Sequence, residues 1–472
     1  MKILLILPAA QGVRVTRERP QVPRRAMLRF SVLGLTTVAA LTPPGHEVRI
    51  VDENVEPLDY DTDCDLVGIT FMTALAPRAY EIAREFRRRG RIVVAGGYHA
   101  TLCPENAASH FDAIVVGDAE GAWERLLADA AAGNLQAVYR GGNAGPELRT
   151  PAPRRELMAG TAGHYATINA VQTGRGCRHA CRYCSVTVFH RRQYRRRPVA
   201  DVIAELRTIP RDFIFVDDNI VVDREYAAEL FRALAPLGKR WVSQCSILIA
   251  DDPELLCLAR TAGCRGLFIG IETESGENLA AMNKPFNDPG SYEARLRTIR
   301  RAGIGVVAGM IVGMDGDDVV VFERTLRFLR RTRIDSVQLN ILTPLPGTPL
   351  FASMMQAGRM TDLDWSRYDY RHVVFRPARM TAAELQAGAD WLYAQFYRLD
   401  RIVWRFVTGL FTLGPVPALL VLKLGMTYRY DNRRERIIGR NPARRDVSQH
   451  ARGRRWLPVP GGAAVRLGGG LE

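Results

Sequence analysis

Short apolar runs alternate with helix-like segments along the first 140 residues of the chain. Strand-like runs occupy residues 2–7, 47–52, 66–71, 92–95 and 113–116. Apolar residues recur at helical spacing in residues 30–41, 77–89 and 120–132. This alternation predicts a doubly wound parallel sheet, whose ligands bind beyond the carboxyl ends of the strands.

The same alternation returns in the second half of the chain. Six strand-like runs are separated by five helical segments, and the runs are residues 165–171, 213–216, 241–247, 266–271, 305–312 and 336–342. The count predicts an α/β partial barrel of (β/α)6 type, whose active groups lie at the C-terminal strand ends.

The remaining segments complete the predicted domain organisation. Residues 141–164 are rich in Gly, Pro and Arg and predict a linker. Residues 381–399 predict a helix capped by Thr381, and residues 401–426 are apolar but interrupted by Arg and Pro. We therefore expect a Rossmann-like domain at 1–140, the linker at 141–164, the barrel at 165–375 and a helical C-terminal extension with a basic tail at 376–472.

Composition and charge limit the binding partners and the cellular compartment that we expect for this protein. The 472 residues carry a net charge of +15, which can favour nucleic acid or an anionic membrane but also fits a solvated Arg-rich surface. No basic module interleaved with aromatic residues is present, which argues against nucleic acid. Eight cysteines lack the regular spacing of a disulfide framework, so we expect a reducing cytoplasm.

Three of these cysteines form the most informative motif of the sequence. Cys177, Cys181 and Cys184 have C-x3-C-x2-C spacing in a Gly-rich loop that follows an apolar run. Thiolates at such spacing suit an iron–sulfur cluster, and three sulfurs leave one iron of a [4Fe–4S] cube open. The alternatives are chance or a structural zinc site, for which neither His179 nor His190 completes a usual pair.

This loop, with Tyr183 just before the last cysteine, resembles that of the radical S-adenosylmethionine (SAM) enzymes. The resemblance implies that the open iron binds SAM and that reductive cleavage yields a 5′-deoxyadenosyl radical. It also implies an electron donor such as flavodoxin or ferredoxin. Four strand-end residues match SAM-binding positions, with a helix cap or surface turn as the alternative for each; they are Asp217, Asp218, Gln244 and Glu272.

The first domain resembles the cobalamin-binding domain of B12-dependent radical SAM enzymes at residues 67–73, 95–101 and 116–121. The resemblance implies cobalamin contacts at Thr73, Gly96, Gly97, His99, Gly117 and Glu120. None of the eight histidines follows the D-x-H-x-x-G pattern, so we expect no protein histidine on cobalt. A nucleotide-binding or ligand-free domain is the alternative, although no G-x-G-x-x-G follows the first strand.

Together these resemblances imply a cobalamin-dependent radical SAM enzyme, and the favoured reaction is methyl transfer to an unactivated carbon. One SAM would methylate cobalt and a second would give the radical that abstracts hydrogen from the substrate. A radical cyclase or a rearrangement or oxidation enzyme of the same architecture stays open. A non-catalytic cobalamin or redox sensor would need no SAM pocket, and the strand-end carboxylates argue against it.

The C-terminal extension bears on substrate and location. Residues 429–455 carry ten arginines after the apolar stretch, and this combination could lie on the inner face of a membrane. The extension loosely resembles that of hopanoid methylases, so we expect a small-molecule or lipid substrate. The alternative is a helical pair packed over the barrel, followed by a disordered tail.

The cysteine motif predicts how much iron the protein binds and which substitutions abolish SAM cleavage. Anaerobically reconstituted protein should bind about four irons per chain, the content of one cube. Each of Cys177→Ala, Cys181→Ala and Cys184→Ala should abolish SAM cleavage, measured as 5′-deoxyadenosine. Cleavage at the wild-type rate in any of the three variants would contradict the cluster assignment.

Overall fold

A computed structural model describes residues 1–22, 29–30, 32–142, 145 and 147–439, with side chains as far as residue 430. Its N-terminal part is a six-stranded, wholly parallel sheet in the order β2-β1-β3-β4-β5-β6. The strands are β1 (Lys2–Leu7), β2 (Glu47–Asp52), β3 (Leu66–Thr70), β4 (Ile92–Gly96), β5 (Ala113–Val116) and β6 (Val138–Arg140). The helices are α1 (Leu33–Leu41), α2 (Ala76–Arg88), α3 (Tyr98–Leu102), α4 (Pro104–Ala108) and α5 (Ala122–Ala132).

Strand alternation explains why this sheet has two apolar faces. Leu4 and Ile6 of β1 pack in one apolar cluster with α2, whereas Ile3 and Leu5 pack in another with α1 and α5. Helix α2 buries its alanines and Phe86 and exposes Arg84, Arg87 and Arg88, as its amphipathic pattern predicts. The predicted doubly wound sheet is thus confirmed, with β6 as an additional edge strand.

The second part is an open parallel barrel in the order β14-β13-β12-β11-β10-β7, together with a separate antiparallel pair, β8 and β9. The strands are β7 (Ala170–Val171), β8 (Gly174–Arg175), β9 (Arg195–Arg196), β10 (Asp212–Phe215), β11 (Arg240–Cys245), β12 (Cys264–Glu272), β13 (Gly305–Val312) and β14 (Ser336–Ile341). The helices are α6 (Ser185–Phe189), α7 (Val199–Thr208), α8 (Arg224–Leu234), α9 (Pro253–Thr261), α10 (Gly276–Ala281), α11 (Tyr292–Arg301), α12 (Val321–Arg331) and α13 (Pro349–Gln356).

Two predicted elements of the second half differ from the structure. The strand predicted at 165–171 is reduced to β7, because this edge strand has a single partner and pairs only through Ala170 and Val171. The helix predicted at 381–399 ends early as α14 (Ala382–Phe396). It ends there because Tyr397 turns into the core, where its hydroxyl accepts a hydrogen bond from the Val337 amide and donates one to the Val337 carbonyl.

The chain then forms a helical hairpin of α15 (Leu399–Thr412) and α16 (Pro415–Gly439). Arg405 of α15 anchors the hairpin, because its buried guanidinium lies 4.1 Å from the centre of the Phe396 ring and donates a hydrogen bond to the Phe396 carbonyl. Among the helices described, none combines the length and the hydropathy needed to cross a membrane. Residues 440–455 of the predicted basic tail lie outside the described residues.

Candidate active site

A cavity of about 880 Å³ follows the inner face of the barrel. Tyr183, Cys184 and Ser185 of the cysteine loop line it, and so does Glu272 at the carboxyl end of β12. Met72 reaches the cavity from the N-terminal domain. The cavity therefore lies where both domains and the cysteine loop meet.

Glycines on two neighbouring strands make room for this cavity. In the parallel register of β12 and β13, Gly266 pairs with Gly305 and Gly270 pairs with Gly309. The four positions share one face of the sheet because residues two or four apart on a strand point the same way. The barrel interior thus lacks the side chains that would otherwise fill it.

The three loop cysteines form no disulfide, and the charge of a neighbouring cysteine contributes to the pKa of Cys177 and of Cys181. Burial raises the pKa of all three, and that of Cys181 to about 12. Within the described residues, no three His, Cys, Asp or Glu side chains converge on a single-ion site. A cubic cluster does not need such a site, because each of the three cysteines binds a different iron.

Asp217 and Asp218 hold the backbone of the cysteine loop. The buried Asp217 carboxylate accepts hydrogen bonds from the Thr173 and Gly174 amides at 3.1 and 2.7 Å and from the Thr173 hydroxyl at 2.6 Å. Burial raises the pKa of Asp217 to about 6, and these donors oppose the rise. Asp218 accepts a hydrogen bond from the Gly176 amide at 3.0 Å.

The expected contact of the two aspartates with the SAM amino group stays a prediction, and the structure adds a role in the cysteine loop. Asp217 is only 1 % exposed and neither residue lines the cavity. The Asp217 oxygens accept backbone amides because a Gly-rich loop leaves amides that need acceptors, whereas Asp218 accepts one such bond through a single oxygen. Both aspartates therefore position the residues that lead to Cys177.

Gln244 and Glu272 do line the cavity, as their strand-end positions predict. The Gln244 side chain is exposed. Glu272 has a left-handed backbone, with φ of +67°, at the point where the register of β12 and β13 shifts. Lys284 fixes its carboxylate through an ion pair of 2.6 Å and also donates to the Gly270 carbonyl. No sequence motif drew attention to Lys284.

His99 lies inside the N-terminal domain. Its ring has no exposed surface, and its two nitrogens lie 3.2 Å from the Thr73 hydroxyl and 2.9 Å from the Tyr80 hydroxyl. Burial lowers the pKa of His99 to about 4, so the ring is neutral. His99 and Thr73 thus contact each other in the core, and their expected cobalamin contacts stay a prediction.

The glycines at the ends of β4 and β5 have conformations that other residues adopt rarely. Gly97, which follows Gly96 at the end of β4, has a φ of +91°, and Gly117 has a φ of +88°. A Cβ atom at Gly97 would lie 2.6 Å from the Thr70 hydroxyl, and one at Gly117 would lie 3.0 Å from the Gly141 carbonyl. Close packing within the domain is thus one reason why both positions are occupied by glycine.

Glu120 forms part of a buried ionic network between the domains. Arg175, at the start of the cysteine loop, pairs with Glu120 at 2.9 Å and with Asp118 at 3.2 Å. Arg195 also pairs with Asp118. Burial alone would raise the pKa of Asp118, but the two arginines hold it below its ordinary value. Glu120 therefore faces the cysteine loop, and its expected cobalamin contact stays a prediction.

Comparison with known proteins agrees with this architecture. The radical SAM superfamily model matches residues 171–329 and the B12 binding domain model matches residues 26–127. The bacteriochlorophyllide d C-12(1)-methyltransferase of Chlorobaculum tepidum is 31 % identical over 79 % of this chain and 82 % of that protein. The hopanoid C-2 methylase of Rhodopseudomonas palustris is 29 % identical over 70 % of this chain and 65 % of that protein.

Solved structures share the same fold. The radical SAM methyltransferase TsrM from Kitasatospora setae, with cobalamin and a [4Fe–4S] cluster bound, gives a TM-score of 0.67 at 16 % identity. That match covers 92 % of this chain and 99 % of TsrM. The cobalamin-dependent SAM radical enzyme OxsB gives a TM-score of 0.63 at 14 % identity, over 91 % of this chain and 71 % of OxsB.

The fold and the cysteine loop thus define a radical SAM enzyme with a B12-binding domain. The chain belongs to the cobalamin-binding radical SAM methyltransferases. Its cofactors are a [4Fe–4S] cluster, SAM and cobalamin, which confirms the expected set. The donors of the loop fit the cluster, since three thiols from one loop leave one iron open.

The ionic network predicts a pH-dependent loss of stability when Arg175 is removed. Arg175→Met leaves two buried carboxylates without their shared partner, which should lower the free energy of unfolding by about 3–5 kcal/mol at pH 8. Loss of Arg175 removes one of the two arginines that hold the pKa of Asp118 down, so burial raises this pKa, the folded variant takes up a proton more readily, and the deficit shrinks as the pH falls towards 5.

Urea unfolding at pH 8 and pH 5 measures this effect. Arg178→Met is the matched control, because its side chain is 62 % exposed on the same loop; it should leave the unfolding midpoint unchanged. An Arg175→Met deficit that stays constant with pH would contradict the network as the cause.

Proposed function

We propose that this protein transfers a methyl group from SAM to an unactivated carbon of an apolar substrate. The observation that carries the proposal is a single cavity with Cys184 and Glu272 in its wall at the carboxyl ends of the barrel strands. When bound, the cluster supplies the electron that cleaves SAM, and cobalamin carries the methyl group. The bacteriochlorophyllide and hopanoid methylases among the relatives support methyl transfer to carbon.

The chain contributes binding, orientation and exclusion of water. Cys177, Cys181 and Cys184 hold the cluster, while Gln244 and Glu272 orient SAM by hydrogen bonds from the cavity wall. Apolar side chains of β10 and β13, among them Phe215, Val307 and Ile311, form much of the cavity wall. Such a lining keeps water and other hydrogen donors away from a reactive species.

Cobalamin lies, in this proposal, beyond the carboxyl ends of β4 and β5. Gly96, Gly97 and Gly117 allow its close approach to the backbone, since these positions carry no side chain. Thr73 and His99 support this surface from inside the domain, and Glu120 fixes it to the cysteine loop through Arg175. The buried, fully bonded His99 supports the expectation that no protein histidine ligates cobalt.

An acidic electron donor such as flavodoxin or ferredoxin fits the surface around the cysteine loop. Four exposed arginines surround this loop; they are Arg178, Arg182, Arg191 and Arg192. Complementary charge favours encounter with an acidic partner. Such docking would deliver electrons beside the cluster.

Substitution of Glu272 tests the proposal. The charge-assisted hydrogen bond between SAM and this carboxylate contributes about 1.5–3 kcal/mol. Glu272→Gln should slow 5′-deoxyadenosine formation roughly 10- to 100-fold under anaerobic, reducing conditions. Glu274→Gln is the matched control, since Glu274 does not line the cavity and pairs with Arg324. Wild-type protein that forms no 5′-deoxyadenosine would contradict the proposed reaction.

The same assay, with deuterium-labelled SAM methyl, separates methyl transfer from its alternative. A consumed substrate that gains the labelled methyl group supports methyl transfer. A consumed substrate that gains no deuterium favours cyclisation or rearrangement.

The proposal also includes peripheral contact with a membrane, made by the α15–α16 hairpin. Val403, Val407 and Phe411 recur at helical spacing on α15, and all are exposed, Phe411 by 86 %. Leu419 on α16 is also exposed. An exposed apolar helix face beside basic residues suits shallow insertion into an anionic leaflet.

Replacing the exposed face should abolish membrane binding. Full-length protein should co-sediment with anionic vesicles, less at high salt, and the double substitution Val407→Glu with Phe411→Glu should not. Val319→Glu, which alters an exposed apolar residue outside the hairpin, should bind like the wild type. Absence of wild-type sedimentation with anionic vesicles would remove the membrane hypothesis.

A further inference from the structure

We propose that the end of the cavity remote from the cysteine loop is a subsite for an extended hydrocarbon portion of the substrate. We call this end the distal chamber; it is bounded by Gly266, Gly305, Pro417, Leu420, Val421 and Leu424. The inference rests on the proposed function for the reaction, and it adds the class of molecule that the site accepts.

The cavity is longer than SAM binding requires. Both Arg265 and Glu272, at opposite ends of β12, line it. Seven residue steps at about 3.3 Å each give a length of roughly 23 Å. SAM sits at the Cys184 and Glu272 end in the proposed function, so the distal chamber is left for another molecule.

Two glycines keep the distal chamber open without being required by its packing. A Cβ atom at Gly266 would have its nearest neighbour at 3.4 Å, and one at Gly305 at 3.5 Å, which are ordinary contacts. At Gly309, nearer the cysteine loop, a Cβ atom would press on the Phe268 ring at 3.0 Å. Larger residues would therefore fit at Gly266 and Gly305, and their absence leaves volume for a ligand.

Helix α16 gives the distal chamber an apolar wall. Pro417, Leu420, Val421 and Leu424 lie at i, i+3, i+4 and i+7, so they form one stripe, and all four line the cavity. The carboxylate of Asp335 lies at this end but is occupied by Arg300 and by the Val306 amide. Other polar residues also line the cavity, among them Arg265, Ser336, Asp390 and Tyr428, but the stripe of α16 is apolar throughout. A hydrocarbon chain or ring system complements this stripe because it needs few polar partners.

The distal chamber also has a route to the surface. Leu420 lines the cavity and is still 37 % exposed. It belongs to the hairpin that carries the exposed face of Phe411 and Leu419. An apolar molecule can thus reach the chamber along α16 without crossing the polar cofactor end.

The test uses full-length protein and the fluorescent probe 11-(dansylamino)undecanoic acid. The wild type should bind the probe saturably at one site, with enhanced emission from the dansyl group. Leu424→Trp and Gly266→Val fill the chamber from two separate elements and should each weaken binding at least tenfold. Leu419→Trp is the matched control on the same helix, and it should stay within twofold of the wild type because Leu419 does not line the cavity.

Each outcome decides the inference. Wild-type affinity in both chamber variants, no probe binding by the wild type, or an equal loss in Leu419→Trp would overturn it. Wild-type protein that binds the probe but forms no 5′-deoxyadenosine would instead contradict the proposed reaction and leave the subsite supported.

Discussion

The contact of Arg175 with Asp118 and Glu120 sets the geometry on which the rest of the structure depends. It joins the first residues of the cysteine loop to the segment after β5, so the loop keeps a fixed position over the N-terminal sheet. Charges buried this deeply are tolerated only when each is paired. Two arginines and two carboxylates satisfy this condition together, since Arg195 completes the pairing of Asp118.

A second constraint acts from the barrel side of the same loop. Asp217 and Asp218 accept the amides of Thr173, Gly174 and Gly176, which leaves the backbone before Cys177 little freedom. Precise placement of reacting groups matters in catalysis, because small displacements change rates strongly. The two aspartates thus fix the backbone that leads to the cysteines, whereas Gln244 and Glu272 line the cavity.

The C-terminal hairpin completes the site from the opposite end of the barrel. The open sheet leaves β14 without a neighbouring strand, and α14 and α16 pack beside it, where α16 also forms the wall of the distal chamber. Arg405 and Tyr397 hold the hairpin to this edge through buried polar contacts. In the arrangement that we propose, the cofactors and the hydrocarbon portion of the substrate bind at different ends of one cavity.

Local patterns in the sequence determined the strands, the amphipathic helices and the cysteine motif, because each depends on residues close together in the chain. The strand ends also located Gln244 and Glu272, since barrel topology follows from element order. Only the tertiary structure decided the partners of polar groups from distant segments. Asp217 meets Thr173 and Glu120 meets Arg175 across 44 and 55 residues. Likewise, the structure places His99 in the core and pairs Lys284 with Glu272. No local signal carries these pairings, because burial and hydrogen bonding are decided by whichever chain segments the fold brings together.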